Sequence, residues 1–338
     1  MLAQTCRSQK ERTLFVLAAI FSSVMWLLLV VTIVGLLYAP FVAVAAFFAH
    51  ALFMAHITGN GVRLGSRQMP EIYKRVEAAA QRLGMQKVPE VYVVQSGGIL
   101  NAYATKLLSR QFVILNAEII DACMAADPTD DPDRMTALDF VIAHELGHLA
   151  LGHLTWNMFL LPAHIVPLLG PAYSRAREYS CDACGAAVVD NLDTSSRALA
   201  VLAAGGQARQ INLDAFVEQR HETGGFFMAL YELNTSHPYL TKRVAALRQL
   251  ARPGTATVPG RSAFSYVLAP FFAVMIGGPV AFSMIVVMYV GIFAAIAIPN
   301  FVKFQERAKA RSAEAAAMRA ADSLDADAPS DIAVPASD

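Results

Sequence analysis

The stretch VIAHELGHLALGH carries two histidines four residues apart, His144 and His148, with Glu145 directly after the first. On an α-helix, residues i and i+4 lie on one face, so both imidazoles can bind one metal ion. A catalytic zinc site takes three protein ligands and keeps one position for water, whose pKa the metal lowers to about 7. Glu145 then fits the roles of general base and of proton donor to a leaving amine. The spacing predicts a zinc-dependent hydrolytic centre or, alternatively, a surface helix that carries histidines by chance.

The identity of a third ligand decides between these interpretations. His153 is the nearest candidate, but a third histidine in the spacing HExxHxxGxxH would stand at Leu154, with a glycine at Leu151. His153 therefore misses that register. We interpret it as a residue at the helix end, or as one that orients a metal-binding side chain through a hydrogen bond.

A second stretch, SRAREYSCDACGAAVVD, places Glu178 and Asp182 four residues apart on a predicted helix. Both carboxylates can then face the histidine pair. Glu178 would complete a His-His-Glu zinc site, and Asp182 would orient a ligating histidine by accepting its other ring N–H. The alternative is a solvated charged face that includes Arg175 and Arg177.

The composition of the chain favours membrane spans around a globular domain. Of 338 residues, 56% are hydrophobic and 16% are charged, and the mean hydropathy is +0.44. The net charge is zero and the sequence has no basic block or nucleic-acid motif, so we expect no nucleic-acid partner. The four cysteines form no disulfide framework, and we expect Cys181 and Cys184 to pack in the core.

Two apolar runs, residues 14–38 and 40–57, have no charged side chain and approach or exceed the roughly 20 residues that cross a bilayer. Basic residues flank the pair, so we predict a hairpin whose two ends lie in the cytoplasm. A third apolar block, residues 263–302, is interrupted by Gly277 and Gly278 and has basic flanks as well. We expect an integral protein of the bacterial inner membrane, with the lipid bilayer as a partner and the active site facing the cytoplasm.

The chain thus divides into four predicted parts, namely a transmembrane hairpin (1–58), a globular domain with the metal centre (59–262), a C-terminal transmembrane segment (263–302) and a cytoplasmic tail (303–338), helical and then disordered. Within the globular part, periodicity and turn residues predict a helix at 70–83, strands at 91–94, 101–105 and 111–116, and a helix at 133–153. The rest reads as mostly helical. The expected fold class is α+β, mostly helical, with a small β-sheet and flanking transmembrane helices.

Three ordered motifs, HELGH, SRAREYSCD and HPYLTKR, resemble those of the HtpX-like and CAAX-prenyl-endopeptidase-like integral membrane zinc peptidases. NAYAT, before HELGH, is similar to a further segment of these proteins, and the likeness covers about residues 70–250. The resemblance implies a zincin-type domain of the gluzincin class that hydrolyses membrane or misfolded proteins in protein quality control. Zn²⁺ would be held by His144, His148 and Glu178, with Glu145 as the catalytic base.

The same resemblance implies residues that act on the substrate. The NAYAT strand would pair with an extended substrate, which implicates Asn101 and Ala102. His237 and Arg243 of HPYLTKR would lie near the metal, where a donor or a cation can stabilise the tetrahedral oxyanion. The alternative for this motif is that Pro238 begins a helix and His237 caps it.

Residues 154–173, between the two metal-binding stretches, are largely apolar and contain three prolines. A single bilayer crossing would place Glu178 on the opposite side from His144, where the two could not share a zinc ion. We therefore predict that the segment does not cross, and forms a hydrophobic flap or a shallow hairpin that dips into the membrane and returns.

Residues 284–310 resemble the first helix of type IV pilins. Gly277 stands where pilins carry the glycine of their cleavage point, but Gly278 and Phe282 replace the phenylalanine and glutamate found there. A membrane helix of similar sequence is the simpler interpretation, and pilin-like partners are the alternative. The second hypothesis for the chain is accordingly a catalytically weak membrane adaptor of a pilus or secretion machine. The complete set of ligands and base favours the enzyme.

Overall fold

The computed structural model describes residues 2–31, 33–131, 133–276 and 296–316. The chain divides into two compact units, Met1–Ser283 and Met284–Asp338. In the second unit the described part is one exposed helix, residues 296–316. The predicted break at Gly277 and Gly278, the first half of the pilin-like segment and the predicted disordered tail lie outside the described residues.

The described residues of the first unit form thirteen α-helices and a small sheet. The helices are α1 Leu2–Cys6, α2 Gln9–Val31, α3 Ile33–Asn60, α4 Pro70–Arg82, α5 Ala117–Ala126, α6 Ala137–Ala150, α7 Leu161–Ile165, α8 Leu169–Val189, α9 Leu192–Ala204, α10 Leu213–Glu218, α11 Phe226–Asn234, α12 Leu240–Ala251 and α13 Ala263–Ile276. Short 3-10 helices follow α9 and α10. The expected class, α+β and mostly helical, is confirmed.

The sheet has four strands, namely β1 Val62–Arg63, β2 Glu90–Val94, β3 Ala102–Leu107 and β4 Arg110–Asn116, in the order β1-β2-β4-β3. β2 and β4 are parallel, and the other two pairs are antiparallel. The central strand β4 is buried over Phe112–Leu115, as its run of apolar residues requires. β3 lies at one edge, and that edge borders the metal-binding stretch described below.

Two helices among the described residues are long and apolar enough to cross a membrane, Gln9–Val31 and the Ala39–Asn60 part of α3. Their apolar side chains largely face outward, and Leu27, Val31 and Phe41 are more than half exposed. Outward-facing apolar surface of this extent suggests membrane association. Helix α3 continues through residues 38–40, so Pro40 lies inside it, as membrane helices tolerate.

Helix α6, which carries HELGH, is shorter at both ends than predicted. It begins at Ala137 because Thr136 and Asp139 form a capping box, in which each side chain bonds the backbone of the other. It ends where Gly152 takes a φ of 75°, a left-handed conformation that glycine adopts without steric cost. His153 therefore lies outside the helix and turns back toward it.

Residues 154–173 return the chain from α6 to α8 through turns and the short helix α7. They pack against α2, where the indole N–H of Trp26 donates to the Phe159 carbonyl at 2.7 Å and Ala18 belongs to one hydrophobic cluster with Leu160 and Tyr173. The path leaves α6 and α8 side by side. The segment therefore resembles the predicted hydrophobic flap, and it is held by the first candidate membrane helix.

Candidate metal centre

The structure brings the three predicted ligands together. His144 Nε2 lies 3.6 Å from Glu178 Oε2, and His148 Nε2 lies 3.5 Å from Glu178 Oε1. All three ligand atoms lie within 4.8 Å of one another. Tetrahedral zinc with bonds near 2.0–2.2 Å separates its ligand atoms by about 3.3–3.5 Å, so the donor set fits this metal. The chemistry also fits, because two imidazoles and one carboxylate match a catalytic zinc site.

The close approach of α6 and α8 makes this convergence possible. At Gly147 an added Cβ would meet the Cβ of Cys184 at 3.2 Å, tighter than ordinary contact, so glycine lets the helices approach. Cys181 and Cys184 are fully buried between them, as expected for core residues. Glu178, Asp182 and Arg175 are buried too, which rules out the alternative of a solvated charged face.

A competing set of ligand-type side chains overlaps the first. His148, His153 and Cys181 also lie within 4.8 Å of one another, and the described residues contain no third group of this kind. Burial raises the pKa of the Cys181 thiol well above its ordinary value, so it stays protonated and is a poor ligand. His148 Nδ1 already faces His153 Nδ1 at 3.1 Å, which is a hydrogen-bond distance. We therefore assign the metal to the set with Glu178.

Asp182 orients the first histidine. Its Oδ1 accepts from His144 Nδ1 at 3.0 Å, and the Arg243 guanidinium donates to both of its oxygens, at 2.6 and 2.8 Å. Burial raises the Asp182 pKa, but the charge and hydrogen bonds of Arg243 and the contact with His144 lower it overall. With Nδ1 held in this way, Nε2 of His144 is directed to the metal position.

Arg243 is also 3.3 Å from Glu178 Oε2 through Nη1. Burial raises the pKa of Glu178, yet the neighbouring His144 and His148 and the charge of Arg243 bring it well below the ordinary value. The carboxylate is therefore ionised, as a metal ligand must be. The guanidinium of Arg243 is committed to two carboxylates beside the centre.

The other predicted residue of the HPYLTKR motif, His237, lies at the rim of the site. Its side chain is 67% exposed, and its Nε2 is 3.7 Å from Glu178 Oε1. Its Nδ1 pairs with the Ser236 hydroxyl at 2.9 Å. Helix α12 begins at Leu240 with Tyr239 as its N-cap residue, so the alternative that Pro238 begins the helix and His237 caps it is wrong.

Glu145 lies in the same cavity of about 400 Å³ as the three ligands. It is buried, and burial raises its pKa above the ordinary value despite the nearby histidines. The backbone N–H of Ala104 on β3 donates a hydrogen bond to its carboxylate. The Glu145 side chain thus lies between α6 and β3, and burial makes its carboxylate more basic than that of an exposed glutamate.

The outer edge of β3 faces this cavity, and Asn101 and Ala102 line it. In an antiparallel pair, the backbone N–H and C=O groups of successive residues alternate between facing the partner strand and facing away from it. The backbone of Asn101 faces β4, because its carbonyl accepts from the Asn116 N–H at 3.1 Å. Ala102 and Ala104 lie in the antiparallel register with Leu115 and Val113, and Ala104 directs its N–H to Glu145. The free backbone groups at this edge are therefore those of Ala102 and the carbonyl of Ala104.

The turn before β3 is fixed by Glu118 of α5. Its carboxylate accepts from the backbone N–H groups of Gly98 and Ser96, each at 3.0 Å, and from the Ser96 hydroxyl at 2.8 Å. These bonds lower the pKa of Glu118 to about 2. The sequence analysis missed this residue, although an acidic residue at a helix start after a Ser-Gly-Gly turn was a usable signal.

The sequence analysis also missed Glu11 at the start of α2. His153 faces His148 through Nδ1, and its other nitrogen, Nε2, lies 3.0 Å from Glu11 Oε1. Glu11 and His153 are each 1% exposed. Burial lowers the pKa of His153 to about 4, although Glu11 acts in the opposite sense, so the imidazole is neutral at pH 7. The signal in the sequence was a single acidic residue just before an apolar run, between Arg7 and Arg12.

Comparison with known proteins agrees with this geometry. The model of peptidase family M48 matches residues 66–168 and 157–251, together more than half of the chain. Plastoglobule-localized metallopeptidase 48, a chloroplastic protein of Arabidopsis thaliana, is 28% identical over 179 residues. The alignment covers 48% of each chain, so this chain spans about half the length of that relative. No solved structure matches the chain. The matched region contains the ligand helices, the edge strand and α12, and the chain belongs to peptidase family M48, whose members are metal-dependent peptidases of the HtpX-like and CAAX-protease-like group.

Proposed function

We propose that this chain is a membrane-bound zinc endopeptidase that cleaves extended segments of membrane or misfolded proteins. One observation carries the proposal, which is that His144, His148 and Glu178 converge in a cavity that also holds Glu145 and borders the free edge of β3. Structural zinc sites have four protein ligands and no open position. Three ligands, a buried base and a place for an extended chain therefore favour peptide-bond hydrolysis.

In the proposed mechanism, substrate adds to β3 as a further strand, bonded to the free backbone groups of Ala102 and to the Ala104 carbonyl. A zinc ion held by the three ligands would polarise the scissile carbonyl and lower the pKa of a water molecule in its open position. Glu145 takes the proton of the attacking water and gives it to the leaving amine. Its raised pKa makes it a stronger proton acceptor than an exposed glutamate.

Two further residues act around this reaction. His237, at the exposed rim, can donate to the oxyanion that forms on the substrate. Arg243 holds Asp182 and Glu178 in place and lines the same cavity, from which its charge can stabilise that oxyanion. An edge strand binds backbone and not a particular side chain, which supports unfolded or locally extended protein as the substrate class.

A metal-removal experiment tests the proposal. The purified full-length protein should contain one zinc ion per chain and should cleave casein and a peptide blocked at both ends, which only an endopeptidase can hydrolyse. Chelation should abolish cleavage, and one equivalent of zinc should restore it. A protein that binds no zinc, or that binds it and leaves both substrates intact, would contradict the proposal and favour the membrane-adaptor hypothesis.

We further propose that α2 and α3 anchor the domain in the bacterial inner membrane as a hairpin, with the metal centre on the cytoplasmic side. The four-part organisation predicted from the sequence, with a second membrane segment after residue 262, belongs to this proposal. Impermeant thiol reagents should reach cysteines placed at Arg12, Asp130 and Arg252 from the cytoplasmic side, in a background without native cysteines. A cysteine at Ala39 should react from the opposite side. Labelling of Asp130 and Arg252 from different sides would contradict the hairpin.

A further inference from the structure

We propose that Glu11, on the first candidate membrane helix, positions the metal ligand His148 through His153, so that this helix is part of the metal centre. The inference rests on the proposed function, because it concerns the same zinc site. Three side chains carry it, in the order Glu11, His153, His148, with contacts of 3.0 and 3.1 Å. Glu11 is 142 residues from His153 in the sequence and belongs to neither of the metal-binding helices.

The directions of the hydrogen bonds follow from the position of Glu178. His148 Nε2 faces Glu178, so this nitrogen must be unprotonated to bind a metal, and its Nδ1 carries the proton. That N–H can donate only to an unprotonated Nδ1 of His153. His153 then carries its proton on Nε2 and donates it to the Glu11 carboxylate. One arrangement of protons therefore satisfies both of these contacts and leaves His148 Nε2 free for the metal.

The backbone places His153 at this point with little freedom. At the end of α6, the His153 N–H bonds the His148 carbonyl at 3.0 Å and the Gly152 N–H bonds the Leu149 carbonyl at 3.1 Å. This pair of bonds, with glycine in the left-handed conformation, is the Schellman motif. It folds His153 back onto the ligand helix, directly beside His148.

The start of α2 is fixed on the same helices. Arg7 Nε lies 3.1 Å from Glu11 Oε1, and Arg7 also donates to the Leu151 carbonyl near the end of α6. The Ser8 N–H donates to the Ser180 hydroxyl of α8 at 3.0 Å. The start of α2 is therefore held against both metal-binding helices, which places the Glu11 carboxylate beside His153.

The two ligand histidines are thus supported in parallel ways. His144 donates directly to Asp182, which Arg243 holds, whereas His148 donates through His153 to Glu11, which Arg7 holds. Carboxylates that orient ligating histidines typically contribute 10- to 100-fold in metal affinity or activity. Because the second carboxylate belongs to α2, the site is complete only when the first candidate membrane helix is docked.

The test compares zinc affinity and the cobalt(II) absorption spectrum of full-length variants. Glu11→Ala and His153→Phe should each bind zinc about 10- to 100-fold more weakly in competition with a chromophoric chelator. The double variant should be little worse than either single one, because both break one chain. Glu11→Gln keeps an oxygen that can accept from His153 and should stay closer to wild type. Glu71→Gln, at an exposed glutamate of α4, is the control and should bind as wild type.

The cobalt spectrum separates positioning from general stability. At saturating cobalt, Glu11→Ala and His153→Phe should show shifted visible bands while their melting temperatures stay high enough for folded protein. Wild-type affinity and wild-type spectra in both variants would overturn the inference and leave the proposed function intact. If Glu11→Ala fails to fold, His153→Phe decides by the same two measurements. A wild-type protein that binds no metal would overturn the proposed function first, and the inference with it.

Discussion

Asp182 and His144 are 38 residues apart in the sequence, and the Oδ1 of the first lies 3.0 Å from the Nδ1 of the second. This contact fixes which imidazole nitrogen of His144 faces Glu178. It also links the two metal-binding helices to α12, because Arg243 holds the same carboxylate. The metal centre is therefore an assembly of three helices, in which each ligand is oriented by a partner on another element or at a helix end.

The different roles of Glu178 and Asp182 predict different effects on zinc. Glu178→Ala removes one of three ligands and should lower zinc occupancy as strongly as His148→Ala. Asp182→Asn removes only the acceptor of His144 and should weaken binding by about 10- to 100-fold. Elemental analysis of the purified variants, after dialysis at a fixed zinc concentration, measures both. Full zinc content in Glu178→Ala would mean that another carboxylate is the ligand.

The alternation of backbone groups on β3 predicts which backbone N–H groups of a substrate are needed for binding. In a peptide that adds to this edge, every second N–H faces β3 and the others face solvent. Methylating one N–H that faces β3 removes one hydrogen bond, worth about 0.5–1.5 kcal/mol, and should raise KM by about 2- to 10-fold. Methylating its neighbours should change KM little. A set of singly N-methylated peptides tests this, and equal KM values along the peptide would exclude binding as an added strand.

Glu118 predicts a pH dependence of stability. Hydrogen bonds from Gly98 and Ser96 lower its pKa to about 2, from an ordinary value of 4.5. A carboxylate with a lowered pKa in the folded state stabilises that state fully above the unfolded value, and the contribution is lost as the pH falls through the folded value. Glu118→Gln should therefore melt below wild type at pH 7, and the gap should close between pH 4.5 and about 2.

The matched control for this experiment is Glu71→Gln, since Glu71 is exposed and pairs with the exposed Lys74. Its melting temperature should follow wild type throughout that pH range. A gap for Glu118→Gln that stays constant from pH 7 to pH 2.5 would show that the charge of Glu118 does not hold the turn before β3.

The parts of the fold and site that the sequence predicted are those governed by local patterns. Alternating and β-branched residues marked β2, β3 and β4, and the spacing of His144 and His148 marked a metal-binding face. β1 was missed because it is only two residues long and exists through its pairing with β2. The ends of α6 were misplaced because the capping box of Thr136 and the glycine turn at Gly152 were not weighed.

The parts that could not be predicted depend on contacts between distant segments. Nothing local relates Glu11 to His153, because their contact forms only when α2 docks beside the end of α6. In the same way, the shared metal site shows that residues 154–173 do not cross the membrane once. Their packing on Trp26 and Ala18, however, could be seen only in the folded structure.

The most direct test of the central claim is the rate of casein cleavage by Glu145→Gln, measured beside wild type at equal zinc content. The amide keeps the shape of the side chain and accepts the Ala104 N–H, but it cannot take a proton from water. General-base catalysis typically contributes 10²- to 10⁴-fold, so cleavage should fall by about that factor while zinc binding and melting temperature stay near wild type. Cleavage by zinc-loaded Glu145→Gln at the wild-type rate would contradict the account.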